Sequence, residues 1–345
     1  MAFSLNVSQP CGSGNESLLS GQYAMLVKGF DNGKGAGETS PQPVLIGAEL
    51  YIDGNGNIVA GNLDMNSHSA PGVQESSVSG KYQIGGDQRG CMTLTSNSGT
   101  QNYLISVSVV SSGIASTVHM VSSDATGPFT SGVALEQDTT AFSANVINGN
   151  YVFEMSSPQG TASPDGGKEA MAGVITLANT DATSGTVTGG SFDLNDKGQL
   201  DGSSSTTWSS STPLSISSTG SSYFIGGGIG NIIFQTTING NTVIQQNQIY
   251  IISANRFLIM SSSDQTQAGA LFGAGEAFKQ SGTISSGSLN GTSVLQSSAL
   301  QINSASPVTA TSFIGTLTGN VSGNVNINGW QNSGRAIQSR TISGT

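Results

Sequence analysis

Three segments of the chain share one grammar, and this recurrence limits the possible fold more than any other feature. Residues 18–30 read LLSGQYAMLVKGF, residues 146–155 read VINGNYVFEM, and residues 289–297 read LNGTSVLQS. Each has an aliphatic residue, a short gap, a glycine, and then alternating apolar and polar positions, which is a turn feeding a strand. The opening glycine recurs as Gly21, Gly149 and Gly291. Self-similarity at that spacing predicts one β module used about two and a half times. The expected division is an N-terminal segment over 1–16, whole modules over 17–140 and 141–281, and the first half of a third over 282–345.

Within the first module, eight strand-like runs are predicted at 22–30, 44–52, 58–65, 78–84, 91–96, 103–110, 117–122 and 131–137. Several alternate with period two: Val78, Tyr82 and Ile84 share one face, and Ser79, Lys81 and Gln83 the other. One face of each strand is then expected to be core and the other wet, as in antiparallel sheet. The runs are separated by short Gly- and Asn-rich turns such as Asp53-Gly54-Asn55-Gly56-Asn57, where positive φ is tolerated. Consecutive hairpins of this number close most simply as an all-β, calycin-like, up-and-down antiparallel barrel, because closure removes both sheet edges. A two-sheet sandwich is the alternative. The second module repeats the scheme: SFDLN at 191–195 matches NLDMN at 62–66, YFIGG at 223–227 matches YQIGG at 82–86, and GEAFKQ at 275–280 matches GVALEQ at 132–137. It also carries a Ser-rich insertion at 198–212.

Only 9% of the 345 residues are charged, against about a quarter in ordinary soluble proteins. Gly, Ser, Thr and Asn fill the polar positions instead. The formal charge of −10 and the scatter of only ten Lys and Arg residues exclude a nucleic-acid binder, which needs clustered cations. No run of about 18 apolar residues is present to span a membrane as a helix. Residues 1–7 (MAFSLNV) carry neither the basic nor the long apolar part of an export signal. The composition nonetheless looks extracellular, and the chain is expected to be a piece of an exported protein.

A longer pattern runs through the first module: CGSGNE at 11–16, LSGQYAMLVKGFD at 19–31, DGNGNI at 53–58, GKYQIGGDQRGCMTLT at 80–95 and SGVALEQ at 131–137. It resembles a repeat family of predicted exported proteins and lipoproteins of acidobacteria. The likeness covers the first module closely, the second loosely and the third in its first half. It implies an exported location and a β-repeat architecture, and no activity. The second module departs by lacking the cysteine and by having Gly228 to Gly230 where the first has Asp87 to Gly90. Residues 308–325 with 336–345 are also similar to the low-complexity repeats of phage tail fibres. The match of QSRTISG at 338–344 to QESSVSG at 74–80 accounts for part of the same stretch from within the chain.

Candidate sites are few. Parity puts Cys91 on the opposite face from Met92 and Leu94, outward, where the N-terminal segment can reach it. A Cys11–Cys91 disulfide is therefore expected, with two free thiols as the alternative. A lipid anchor on Cys11 would need a better cleavage context than Ser8-Gln9-Pro10. The loop from Asp53 to Asn57 with Asp64 places acids and amides at calcium-loop intervals, but Ile58 stands where such a loop needs glycine, so a plain hairpin is expected. His68 and His119 lack a Ser, Cys or carboxylate at motif spacing and are read as surface residues. Asp64 and Asp193 take matching places in two modules, and turn or strand-end hydrogen bonding is the expected role. Residues 226–230 (GGGIG) open no helix and are read as a hairpin rather than a phosphate loop.

No catalytic, metal or cofactor site is therefore expected. The functional expectation is a non-enzymatic, exported structural or adhesive β-repeat protein of a bacterial surface. One alternative is a lipocalin-like carrier whose interior, lined by residues such as Tyr103 and Met120, holds a small apolar ligand. Another is a strand-exchanging subunit of a surface polymer, self-associating through the incomplete third module.

Overall fold

A glycine with positive φ opens every module: Gly21 at 110°, Gly149 at 96° and Gly291 at 129°. Glycine adopts that backbone without a Cβ clash, so the residue that marks the repeat also sets the path of the chain into its first strand. The computed structural model describes residues 11–32, 41–67, 72–109, 111–157, 169–196, 199–200, 213–238, 240–263, 271–282, 288, 290–303, 306–320, 322, 324–333 and 336–344. Residues 1–10, His68 and most of the 198–212 insertion lie outside them.

The first module is a closed barrel of eight antiparallel strands in sequence order. They are β1 (Ser20–Phe30), β2 (Pro43–Asp53), β3 (Asn57–Ser67), β4 (Gln74–Ile84), β5 (Arg89–Ser96), β6 (Gly99–Val109), β7 (Ala115–Ser122) and β8 (Phe129–Glu136). Closure runs from β1 to β8, from Tyr23 against Glu136 to Phe30 against Phe129, so the sandwich does not form.

The second barrel closes on the same plan. Its strands are β9 (Gly149–Ser156), β10 (Glu169–Asn179), β11 (Ser184–Asp196), β14 (Ser217–Gly226), β15 (Ile229–Ile238), β16 (Asn241–Ser253), β17 (Arg256–Ser261) and β18 (Ala274–Lys279), with β18 pairing back to β9. Two short strands, β12 (Gln199–Leu200) and β13 (Leu214–Ser215), attach to β11.

Four buried tyrosines show that the two barrels are copies. Tyr23 donates its hydroxyl to the Ala115 carbonyl at 2.7 Å, and Tyr151, at the same register position, donates to Ala254 at 2.9 Å. Tyr82 lies 2.8 Å from the carbonyls of Glu16 and Leu19, in the turn that plugs one end of the first barrel. Tyr223 donates to Ala144 at 3.3 Å, in the equivalent plug of the second. In each case a phenol satisfies a backbone acceptor that the plug or strand end takes out of water. Burial pushes Tyr82 and Tyr223 up to about 12, so both stay protonated donors at neutral pH.

Side chains occupy both interiors. Tyr23, Met25, Ile46, Leu50, Tyr82, Tyr103 and Met120 belong to the buried cluster of the first barrel. The second is centred on Phe153, Phe192 and Phe234, with ring centroids 5.9 to 6.3 Å apart.

The outer faces depart from expectation. Strands β1, β2, β16 and β17 are not wet on one side: Ala24, Leu26, Leu45, Tyr250, Ile252, Leu258 and Met260 point away from their own interiors and are still buried. The two barrels accordingly form one compact unit over residues 1–280.

Residues 281–345 form a second unit. It is a four-stranded antiparallel sheet in the order β19 (Gly291–Asn303), β20 (Ser306–Gly319), β21 (Val325–Ser333), β22 (Ala336–Gly344). The β21–β22 register places residues 338–344 in line with 74–80 of β4, as the sequence match requires. Phe313, Leu317 and Ile327 share the face that corresponds to a barrel interior.

Candidate functional site

The most developed constellation of side chains among the described residues is the seam between the two barrels. Its apolar part is a cluster separate from both interiors: Ala24 and Leu26 of β1, Leu45 of β2 and Leu135 of β8 meet Tyr250, Ile252, Leu258, Met260, Phe272 and Ala274. Fully burying each large side chain contributes about 2 kcal/mol. The seam is thus an internal core, continuous with neither barrel.

Polar groups fix its register. Tyr250 donates its hydroxyl to Asp64 Oδ2 at 2.6 Å across the seam. Gly47, paired with Asp64 on β2, makes this approach possible, because a Cβ there would land on the Tyr250 ring. Burial pushes the Asp64 carboxyl up to about 6, and the negative charge of Glu75 adds to the rise, while the Tyr250 bond opposes it. Burial also holds the Tyr250 hydroxyl well above its usual range.

A second group of contacts surrounds the hairpin between β14 and β15. The Gly228 N–H donates to Glu49 Oε1 at 3.1 Å, and Gln137 Nε2 donates to the Gly228 carbonyl at 3.2 Å and to the Ile251 carbonyl at 2.6 Å. A Cβ on Gly228 would collide with Glu49, Gln137 and Phe142. Burial raises the Glu49 carboxyl above the usual carboxylate range. Further along, Lys28 Nζ donates to Ser156 Oγ at 2.8 Å and to the Ala274 carbonyl at 3.2 Å. Asn66 Nδ2 donates to the carbonyls of Ser261 and Ser263, both at 2.9 Å.

Chemically, this arrangement can lock two bodies together. Glu49, Asp64 and Tyr250 are buried against protein partners, and Lys28 is half-buried.

The other sequence candidates fall apart from the seam and from each other. A disulfide joins Cys11 to Cys91, Cα to Cα 5.7 Å, and fastens the plugging segment to β5. Asp53 spends its carboxylate on its own turn, accepting from Asn55 N at 2.7 Å, Asn57 N at 3.0 Å and Asn57 Nδ2 at 2.7 Å. Those bonds hold Asp53 below the usual carboxylate range. Asp64 faces the other barrel, so the two acids do not converge on a cation, and the expected strand-end role for Asp64 is corrected to a mid-strand contact across the seam. Asp193 occupies the same register position on β11, paired with Ala172 where Asp64 pairs with Gly47. It is exposed. His119 lies outward on β7 between buried Val118 and Met120. Residues 226–230 form the β14–β15 hairpin, and sequence reasoning missed that its Gly228 is also a seam residue.

Surface grooves among the described residues include two on the first barrel. One follows the β3–β4 register shift and is lined by Tyr51, Asn62, Ser77, Ser79, Thr95 and Asn97; the other lies beside the disulfide, with Glu16, Asn55, Asn57 and Lys81. Among the described residues no helix is long and apolar enough to cross a membrane, and no three His, Cys, Asp or Glu residues gather as metal ligands would. No protein-family model and no curated protein sequence matches the chain.

Proposed function

We propose that this chain is a non-enzymatic structural and adhesive element of an exported bacterial surface protein, its barrels serving as stiff blocks rather than containers. The observation that carries the reading is the seam: ten buried residues with a ring of hydrogen bonds join two barrels whose own interiors are already occupied by side chains. A carrier needs a hollow barrel and gains nothing from a rigid neighbour; a load-bearing or spacing element needs both features found here. The Cys11–Cys91 bridge supports an oxidising location, since such bonds persist outside the cytosol. The surface, rich in Ser, Thr, Asn and Gly and poor in charge, supports contact with polar matrices rather than nucleic acid.

Two measurements on the intact protein test the proposal. Native mass spectrometry of material purified from producing cells should give the chain mass or whole multiples of it with no added ligand mass, and a membrane-impermeant reagent should label the protein on intact cells. A stoichiometric apolar ligand would favour the carrier, and protection from the reagent would end the surface assignment.

A further inference from the structure

The seam has a donor face, the outer side of β1 to β3, and an acceptor face, the outer side of β16 to β18 with the residues leading into it. Register equivalence locates both faces elsewhere in the chain. On the first barrel, the seam positions of Met260 and Phe272 are taken by Val121 and Phe129, and those of Tyr250, Leu258 and Ala274 by Ser106, His119 and Ser131. Val121 and Phe129 are 48% and 49% exposed, and Leu104, paired with Val121, is 39% exposed. On the third sheet, the positions of Ala24, Gly47 and Asp64 are taken by Val294, Ile314 and Trp330. These are 78%, 56% and 59% exposed, and Ile314 pairs directly with Trp330. The fold does not force Ile314 and Trp330, because the second barrel carries Ala172 and Asp193 at the same donor positions.

We infer that the donor face of the third sheet docks on the acceptor face of the first barrel in a second copy of the chain, repeating between copies the contact that joins the two barrels within one. A large exposed aromatic beside aliphatic neighbours is the usual anchor of a protein interface, and Trp330 with Ile314 has that form. The facing residues include Thr316 and Asn328 on one side and Ser106, His119 and Ser131 on the other; the charged neighbours, Arg89 opposite Ser106 and Lys28 opposite Ser131, are already bonded to Asp87 and to Ser156, so docking leaves neither without a partner. The two faces differ, so the contact is heterologous, the class that extends head to tail or closes as a ring. The inference deepens the structural reading above and rests on it.

Sedimentation velocity on the full chain over a concentration series tests it. Wild-type protein should give a concentration-dependent ladder of species. Trp330→Asp and Val121→Asp should each be monomeric, because each loses one face. Mixed in equal amounts they should form a dimer and nothing larger, since one variant keeps the acceptor and the other the donor. Far-UV circular dichroism checks that each variant is folded, and Trp330→Ser with Val121→Ser replaces any aspartate variant that is not. A monomeric wild type, a single variant that still assembles, or a mixture that stays monomeric would each overturn the inference. A monomeric wild type leaves the structural reading standing, whereas a co-purified ligand would end that reading without altering the ladder.

Discussion

Asp64 offers a measurement in which the seam can be read directly. The residue is 2% exposed, and its carboxyl is pushed up to about 6 from the ordinary aspartate value of 3.8. Below the unfolded value the group is neutral in both states and costs nothing. As pH rises between the two values, the unfolded chain releases the proton while the folded chain keeps it, so folding loses stability across that window and is flat above it. A gap of about two pKa units corresponds to about 3 kcal/mol. Asp64→Asn removes the titration yet retains a side-chain oxygen to accept from the Tyr250 hydroxyl. Urea unfolding at intervals from pH 4 to 7 should show the two proteins nearly equal at the acid end. The variant should be about 3 kcal/mol more stable at neutral pH. Using the difference between the two proteins cancels the carboxylates that do not interact with Asp64. Parallel stability curves across the window would refute the reasoning, and so would a wild type that gains on the variant as pH rises.

Three further perturbations probe other parts of the first unit. Gly47→Ala sets a methyl against the Tyr250 ring and should cost about 2 kcal/mol in urea unfolding as the seam is forced apart; unchanged stability would show that the seam gives way freely. Replacing Cys11 and Cys91 together by Ser opens a loop spanning a sequence separation of 80 residues. By chain entropy this should lower stability by about 4 kcal/mol, read as a drop in Tm, and an unaltered Tm would mean that the plug holds without the bridge. Phe234→Ala deletes the ring shared by Phe153 and Phe192 and should cost about 4 kcal/mol by calorimetry. A loss below about 1 kcal/mol would mean the second interior collapses around the gap.

The barrels were legible because inward positions repeat. Gly21 and Gly149, Tyr23 and Tyr151, and Tyr82 and Tyr223 hold the same places in sequence and in space, since a barrel interior of fixed size admits few substitutes. The seam escapes a reading based on strands that alternate. The strands forming it do not: YAMLV at 23–27, VLIGA at 44–48, YII at 250–252 and FLIM at 257–260 are continuous apolar runs. Such runs mark strands covered on both sides, and they carried the signal. What they could not reveal was the partner of each outer face, because the groups meeting there are far apart in the chain, from 91 residues for Gln137 and Gly228 to 246 for Lys28 and Ala274. The polar seam contacts were less visible still. Glu49, Gln137 and Gly228 read separately as a strand acid, a strand end and a turn.

The short connector between the barrels bears on how copies of this chain behave when crowded together. Gln137 is tied to Gly228 and Ile251, the Asp138 N–H bonds the Ile252 carbonyl at 2.8 Å, and the Asp138 side chain caps the turn that follows. Trading second barrels between two molecules begins with a loose joint, and here the joint is glued down at its first residues. Each molecule therefore keeps its own pair of barrels, and any growth into larger assemblies adds whole chains at their free surfaces without reshuffling the parts inside.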